Sequence, residues 1–264
     1  MRRIMLKVAY DGTAYSGWRI QENGHTVEEA LNEALSALTG EEIRIIGASR
    51  TDAGVHALGN AAVFDTGSKI PADKFCPAVN KYLPEDIVVQ SSIEVDPGFH
   101  PRYAKCRKTY EYTICNAAVP NPLTGRYSYF VHYPLDVEAM NEAAGYLIGE
   151  HDFASFCSAG AQVKTTVREI YAAECVKIKG GEFPQPSQIV IRLTGNGFLY
   201  NMVRIIAGTL IRIGQGMYPP QQMKDIIEAA DRTKAGPTAP PQGLGLKEIE
   251  WGKGEQDNAC NQDQ

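Results

Sequence analysis

The first half of the chain alternates between strand-like and helix-like spacing of its apolar residues. Alternation over residues 3–10 predicts a strand. Thr26, with Glu29 three residues later, forms a capping box, and apolar residues then recur at helical spacing until Gly40. Shorter patterns predict strands at 43–46, 61–64 and 87–89 and a short helix within 71–83. Strand, helix, strand and strand without long linkers predict an antiparallel-rich α+β unit.

The second half of the chain repeats this order of elements. Patterns predict strands at 109–115, 167–178 and 188–194 and a helix from Asp136 to Gly149. The repetition indicates two α+β halves with a boundary near residues 100–107. We therefore expect an N-terminal half at 1–104, a C-terminal half at 105–251, and a tail at 252–264 whose composition is typical of disorder.

The length and apolar content of the chain fit a folded protein with a substantial core. Its 264 residues suffice for two domains or one large one, and 44% of them are hydrophobic. The N-terminus meets Lys7 and Asp11 before an apolar run of signal-peptide length can form, and no later stretch approaches a membrane span. We expect a cytoplasmic protein that does not associate with membranes.

The cysteines show no pattern of a metal site or a disulfide framework. Six are scattered through the chain, with no C-x-x-C pair and no H-E-x-x-H motif. Most are interpreted as small core residues, and Cys260 as a thiol in the tail. We expect no bound metal.

The net charge of −5 argues mildly against a nucleic-acid partner, but one segment is strongly basic. Four cationic side chains fall within seven residues and are interleaved with Tyr103 and Tyr110. Such alternation suits a surface that follows phosphates and stacks on bases, although a solvated strand or loop is the commoner explanation of four charges in one segment. This 102–108 basic cluster consists of Arg102, Lys105, Arg107 and Lys108.

A polar loop between the strands predicted at 43–46 and 61–64 carries the best candidate for chemistry, Asp52. Arg50 lies two residues earlier, so on an extended backbone both side chains point the same way, and a nearby guanidinium favours the ionised carboxylate. Catalytic groups are common on such loops, but an ordinary surface ion pair fits as well. His56, beside the loop, is a candidate general base, but a structural or RNA-contacting role is favoured.

Arg204 and Tyr110 are further candidates. Arg204 lies inside an almost wholly apolar run at 201–214 that predicts a buried helix, so its charge must reach solvent or find a carboxylate. Asp52 is a suitable partner. Tyr110 shares one face of its predicted strand with residues 112 and 114, and the pattern alone favours a core tyrosine.

Five segments, in order and spread over almost the whole chain, resemble the tRNA pseudouridine synthase A family. The string S-R-T-D-A-G-V-H-A at 49–57 is similar to the family signature around its catalytic aspartate. The other four segments are Tyr10-Asp11-Gly12-Thr13 with Tyr15, Gly17 and Trp18; 99–104 with 108–112; 197–204; and 243–246.

The resemblance implies a fold and roles for particular residues. The fold is α+β, with two similar halves, mainly antiparallel sheets flanked by helices, and an active-site cleft between them. By position in the motifs, Asp52 attacks the target uridine, Arg204 pairs with Asp52, and Tyr110 stacks on the uracil. Leu244 and Leu246 wall the uracil pocket, while Tyr112 is interpreted as structural.

The resemblance also implies a substrate and partners. The family's usual targets are uridines 38, 39 and 40 in the anticodon arm of tRNA, and its usual assembly is a homodimer. Arg50 and the 102–108 basic cluster would grip the RNA backbone. The reaction is an isomerisation without redox change or group transfer to water, so we expect no cofactor.

Three departures from the family pattern bear on substrate range. Ser49 stands where Gly is usual, Asn60 where Gln is common, and Arg19 where Gln usually follows Trp18. Two rival functions stay open: a catalytically silent RNA-binding protein, and a hydrolase that uses Asp52 on a glycosidic bond. The hydrolase would normally need a second carboxylate, and the Asp52 motif supplies no obvious one.

Overall fold

The computed structural model describes residues 1–160, 163–179 and 187–252. The chain forms two compact units, one of residues 1–107 together with the chain from Leu246 onward, and one of Lys108–Gly245. The division at residue 104 stays a prediction; the structure groups residues from Leu246 onward with the first unit. The tail predicted to be disordered lies, from residue 253, outside the described residues.

The first unit is an antiparallel sheet with helices. Strand β1 pairs on one side with β3 and on the other with β4, and the two-residue β2 pairs with β3. Residues of the short second helix contact β4 and the first helix. The elements are β1 (Arg2–Tyr10), α1 (Val27–Thr39), β2 (Ile46–Gly47), β3 (His56–Thr66), α2 (Phe75–Val79) and β4 (Ile87–Val95).

Helix α1 begins and ends as its sequence predicts. Thr26 accepts a hydrogen bond from the backbone N–H of Glu29 at 3.3 Å, which satisfies one of the unpaired donors of the first turn. The helix ends at Gly40, whose φ of 73° is a left-handed conformation that glycine adopts without strain. The predicted helix within 71–83 is confirmed as α2, preceded by a 3₁₀ turn.

The strands around the Asp52 loop differ in extent from the prediction. The upstream strand, predicted at 43–46, is observed at Ile46–Gly47. The downstream strand begins at His56, five residues before its predicted start. The segment 56–60 has few β-branched residues, but it pairs with β1, where Asn60 lies opposite Val8 and Ala57 opposite Tyr10. Pairing with a neighbouring strand therefore outweighs intrinsic propensity here.

The second unit has a sheet in the order β5-β9-β8-β7, antiparallel throughout, with β6 parallel to β5. Helix α3 packs against β8 and α4. The elements are β5 (Cys106–Asn116), which starts at the last residues of the first unit, β6 (Tyr129–Val131), α3 (Val137–Gly145), β7 (Gly149–Asp152), β8 (Val167–Ile178), β9 (Gln188–Gly195), α4 (Met202–Gly214) and α5 (Gln222–Ala229). The last strand, β10 (Leu244–Trp251), begins in this unit and belongs to the first unit from Leu246 onward.

The patterns of the second half predict this unit well, with one correction. Strands β5, β8 and β9 are confirmed, and α4 is buried on most sides, as its apolar run indicates. Helix α3 is capped by Asp136, which accepts from the N–H of Ala139 at 2.9 Å. It ends at Gly145 rather than Gly149, because Gly149 has a φ of 113° and starts β7.

Among the described helices, none combines the length and the apolar character that crossing a bilayer requires. The fold is thus mixed α+β, with mostly antiparallel strands and flanking helices, in agreement with the class predicted from the sequence.

Candidate active site

The loop at 48–55, between β2 and β3, carries Asp52 as the sequence predicts. Asp52 is half-buried. Its backbone carbonyl accepts a hydrogen bond from the backbone N–H of Val55 at 3.1 Å. This tight turn depends on Gly54, whose φ is 75°. The acid is therefore presented from a short turn at the start of a long strand.

A second segment of the chain, residues 15–18, fixes the backbone of this loop. The N–H of Trp18 donates to the carbonyl of Thr51 at 3.0 Å, and the N–H of Gly54 donates to the carbonyl of Tyr15 at 3.2 Å. Gly17 makes the approach possible, since a Cβ there would lie 2.6 Å from the Thr51 oxygen. These bonds restrain the residues on both sides of Asp52.

Asn60 and Tyr10 hold the loop from the sheet side. Asn60 donates through Nδ2 to the carbonyl of Ser49 at 3.0 Å and accepts the Ser49 N–H at 3.3 Å. The Tyr10 hydroxyl shares a hydrogen bond of 2.7 Å with the Thr51 hydroxyl, and burial raises the pKa of Tyr10. We call Tyr10, Asn60 and the residues 15–18 the loop clamp.

The sequence interpretation missed the role of Asn60 in this clamp. The sequence indicates only that Asn60 replaces the glutamine common in the family, which bears on substrate range. In the structure Asn60 is fully buried and donates a hydrogen bond to the loop at Ser49. A polar residue within the apolar stretch 57–64 was the available signal, because a buried amide must find partners. Ser49 replaces the glycine that is usual in the family, and its hydroxyl is buried without a hydrogen-bond partner in the described part of the chain.

His56 is buried at the start of β3. Its Nδ1 accepts the backbone N–H of Gly12 at 3.1 Å and lies 3.2 Å from an Asp11 carboxylate oxygen. These contacts support the structural interpretation of His56.

Arg50 and the 102–108 basic cluster lie on the first unit and at the beginning of β5. Arg50 is exposed, and partial desolvation together with the charges of Arg102 and Arg19 lowers its pKa. Arg102 is also exposed, and its Nε donates to the carbonyl of Gly47 at 3.1 Å, at the start of the loop. Within the same cluster, Lys105 and Arg107 are exposed and Lys108 is half-buried.

Tyr110 lies in β5 of the second unit and is buried, opposite Leu193 of β9. Its ring meets that of Phe198 edge to face, with centroids 5.0 Å apart and an interplanar angle of 75°. Phe198 thus orients the ring that is expected to stack on the base. Tyr112, on the same face, donates its hydroxyl to the carbonyl of Pro240 at 2.8 Å, which supports its interpretation as structural.

Arg204, in the first turn of α4, is half-buried and held in place by two acceptors. Its Nε donates to the carbonyl of Ala239 at 2.8 Å, and its Nη1 donates to Oδ1 of Asn201 at 2.8 Å. The Arg204 carbonyl in turn accepts the N–H of Ala239 at 3.1 Å. The two side-chain hydrogen bonds orient the guanidinium. Its expected pairing with Asp52 stays a prediction.

Asn201 is a second residue whose role the sequence interpretation missed. It adopts a left-handed conformation with φ of 61°, unusual for a residue with a side chain. Its amide accepts from Arg204 and donates to the Ser158 hydroxyl at 3.0 Å. A polar residue immediately before a long apolar run was the signal that could have identified it.

The remaining predicted residues are Leu244 and Leu246, both buried in β10. Their place in the wall of a uracil pocket stays a prediction. Among the described residues, no group of three or more His, Cys, Asp or Glu side chains is arranged to hold a metal ion. The first unit presents a carboxylate on a clamped loop, and the second unit carries a guanidinium held by hydrogen bonds and an aromatic ring held by an edge-to-face contact.

Comparisons with known proteins identify the family of this chain. A family profile described as tRNA pseudouridine synthase matches residues 7–104 and 143–251. The chain is 51% identical over 249 residues to the tRNA pseudouridine synthase A of Ruminiclostridium cellulolyticum, covering 94% of this chain and 99% of that protein. The corresponding proteins of Thermoanaerobacter sp. strain X514 and Brevibacillus brevis are 48% and 46% identical, with the same coverage. The chain belongs to the tRNA pseudouridine synthase A family, whose members are isomerases.

Proposed function

We propose that this chain isomerises uridine to pseudouridine at positions 38, 39 and 40 of the tRNA anticodon arm, with Asp52 as its catalytic carboxylate. The observation that carries the proposal is Asp52 on its clamped loop, inside the segment that resembles the family signature. Membership of the family supports the reaction and the tRNA substrate. Positions 38, 39 and 40 are proposed because they are the family's usual targets.

The first step is access to the base. A uridine in folded tRNA is stacked, so its C1′ and C6 atoms become reachable only when the nucleotide is extruded, at a cost of a few kcal/mol. Arg50 and the 102–108 basic cluster hold the RNA backbone during this step through charge-assisted bonds to phosphates. The extruded uracil then stacks on Tyr110, and Leu244 and Leu246 wall its pocket.

The chemical step uses one carboxylate. Asp52, kept ionised by the guanidinium of Arg204, acts as a nucleophile or as the base that begins glycal formation. The C1′–N1 bond breaks, the uracil rotates, and C5 bonds to C1′. The proton on C5 leaves and N1 gains one, so atoms and charge balance without a redox partner or a cofactor.

A tritium-release assay tests this function. Unmodified tRNA carrying tritium at uridine C5 should lose the label with the wild-type protein, and Asp52→Asn should abolish release. The matched control is Asp73→Asn, an exposed carboxylate of the same unit that pairs with Lys74 and should leave the rate unchanged. Tight tRNA binding without release would instead indicate a silent binder, and free uracil would indicate a hydrolase.

We further infer that the protein is a homodimer in the cytoplasm. The family's usual assembly and the location of its tRNA substrate support this inference. Sedimentation measures the assembly, and cell fractionation measures the location. Recovery of the protein in the membrane fraction would contradict the location.

A further inference from the structure

Three exposed arginines surround the start of the Asp52 loop. The N–H of Trp18 donates to the carbonyl of Thr51, and the two segments run in opposite directions. Arg19, which follows Trp18, and Arg50, which precedes Thr51, are therefore neighbours across the two backbones. Arg102 reaches the same place from another segment, because its Nε donates to the carbonyl of Gly47, three residues before Arg50. We call Arg19, Arg50 and Arg102 the arginine cluster.

The charges of the cluster act on one another. The pKa of Arg50 is lowered first by partial desolvation and then by the charges of Arg102 and Arg19, with Glu28 opposing them. The Glu28 carboxylate also accepts the backbone N–H of Ile20 at 3.1 Å. The three guanidiniums make a region of positive potential in a chain of net charge −5.

The chemistry of the cluster matches phosphate. A guanidinium presents a planar fork of donors that fits phosphate oxygens, and clustered arginines are typical of sites for a polyanion backbone. A solvated charged face accounts for isolated arginines, but it does not account for convergence from three separate segments on one short loop. The position beside Asp52 places the bound backbone next to the reacting nucleotide.

We propose that Arg19 completes a phosphate-binding site with Arg50 and Arg102, and that this site holds the tRNA backbone beside the target uridine. The proposal rests on the proposed function for the identity of the RNA. It gives a role to Arg19, which departs from the glutamine that usually follows Trp18 in the family pattern. The chain thereby gains one phosphate contact close to its catalytic loop.

Salt-dependent binding tests the role of Arg19. Binding of unmodified tRNA is measured between about 50 and 200 mM salt, with Asp52→Asn as the background so that no turnover occurs. Adding Arg19→Gln should reduce the magnitude of the slope of log K against log salt by about 0.7 to 0.9, the contribution of one phosphate contact. Affinity should fall to a similar degree for tRNAs of different sequence, since a phosphate contact carries no base information.

Two further variants complete the design. Arg44→Gln is the matched control, because Arg44 is an exposed arginine of the same unit that pairs with Glu42, and its slope should equal that of the background. Arg19→Lys keeps the positive charge and should restore the slope. Circular dichroism melting curves establish that each variant is folded.

The outcomes separate this inference from the proposed function. If Arg19→Gln has the same slope and affinity as Arg44→Gln while the wild type releases tritium, the inference fails and the function stands. If the slope changes as expected but no tRNA releases tritium, the phosphate site stands and the reaction fails. If the protein does not bind tRNA, both are overturned.

Discussion

At the scale of single residues, hydrogen bonds hold the guanidinium of Arg204 in one orientation. Arg204 is held by the carbonyl of Ala239 and the amide of Asn201, so its guanidinium loses little freedom when an anion approaches. Asn201 in turn is held by Ser158. A pre-oriented cation of this kind stabilises a carboxylate more effectively than a freely moving surface arginine.

The pH dependence of the rate tests the pairing of Arg204 with Asp52. A guanidinium close to a carboxylate lowers its pKa, so the ionised, active form persists to lower pH. Arg204→Gln should raise the pKa of Asp52 and move the acidic limb of the single-turnover rate to higher pH, besides lowering the rate at least tenfold. Arg204→Lys should leave the limb nearer its wild-type position.

An acidic limb that does not move in Arg204→Gln would show that Asp52 is not paired with Arg204. Tritium release measured across the pH range provides the readout. Melting curves recorded across the same pH range distinguish a loss of folded protein from a change in the pKa of Asp52.

The candidate residues could be predicted from the sequence to different degrees. Asp52, Tyr110 and Arg204 stand in segments that resemble the family, so their candidacy needs no coordinates. Asn60 and Asn201 escaped notice because each acts through hydrogen bonds to partners that only the folded chain reveals. Local patterns carry little information about such partners.

At the scale of elements, helix α4 and the segment 236–241 form one packed arrangement. Ala239 exchanges backbone and side-chain hydrogen bonds with Arg204, and Pro240 accepts from Tyr112 of β5. Gly208, one turn after Arg204, permits the approach, since a Cβ there would lie 1.8 Å from the carbonyl oxygen of Pro237. The segment 236–239 is therefore the part of the chain that approaches the helix at Gly208.

A methyl group at this point should be damaging. Gly208→Ala forces the helix and the segment 236–239 apart, at a cost of about 1–3 kcal/mol, so the melting temperature should drop by several degrees. Activity should also fall, because Ala239 orients Arg204. The measurements are a melting curve and the tritium-release rate.

The matched control for this prediction is Gly145→Ala. Gly145 ends α3, and a Cβ there would meet no heavy atom within 4 Å. That variant should melt at or slightly above the wild-type temperature, since alanine favours helix. Equal stability and equal activity of Gly208→Ala and Gly145→Ala would refute the packing argument.

The element boundaries illustrate what periodicity can and cannot predict. Helix α1 follows its pattern because its cap residues and its apolar spacing agree. The early start of β3 depends on pairing with β1, and the early end of α3 on the backbone of Gly149; neither is visible in the apolar pattern.

At the scale of the whole molecule, net charge is a poor guide to the partner. The total of −5 coexists with the arginine cluster, because a sum over the chain does not record where charges lie. The α+β class follows from the order of elements. The grouping of residues from Leu246 with the first unit could not be predicted, since it depends on where the last strand returns.

Sedimentation velocity tests the proposed homodimer. A species of twice the 28.9 kDa chain mass should dominate at micromolar concentration and without RNA. Addition of tRNA should shift the whole boundary to faster sedimentation, since the proposed function requires the protein to bind tRNA. A species of single-chain mass at every concentration would rule out the dimer.

The loop clamp holds the Asp52 loop through hydrogen bonds between uncharged groups. Neutral hydrogen bonds from Tyr15, Trp18 and Asn60 set the position of Asp52, whereas guanidiniums are proposed to set the position of the RNA. Dissolved ions screen charges but barely affect buried neutral bonds. Ionic strength should therefore govern how often a tRNA is captured and leave the fate of a captured uridine almost untouched.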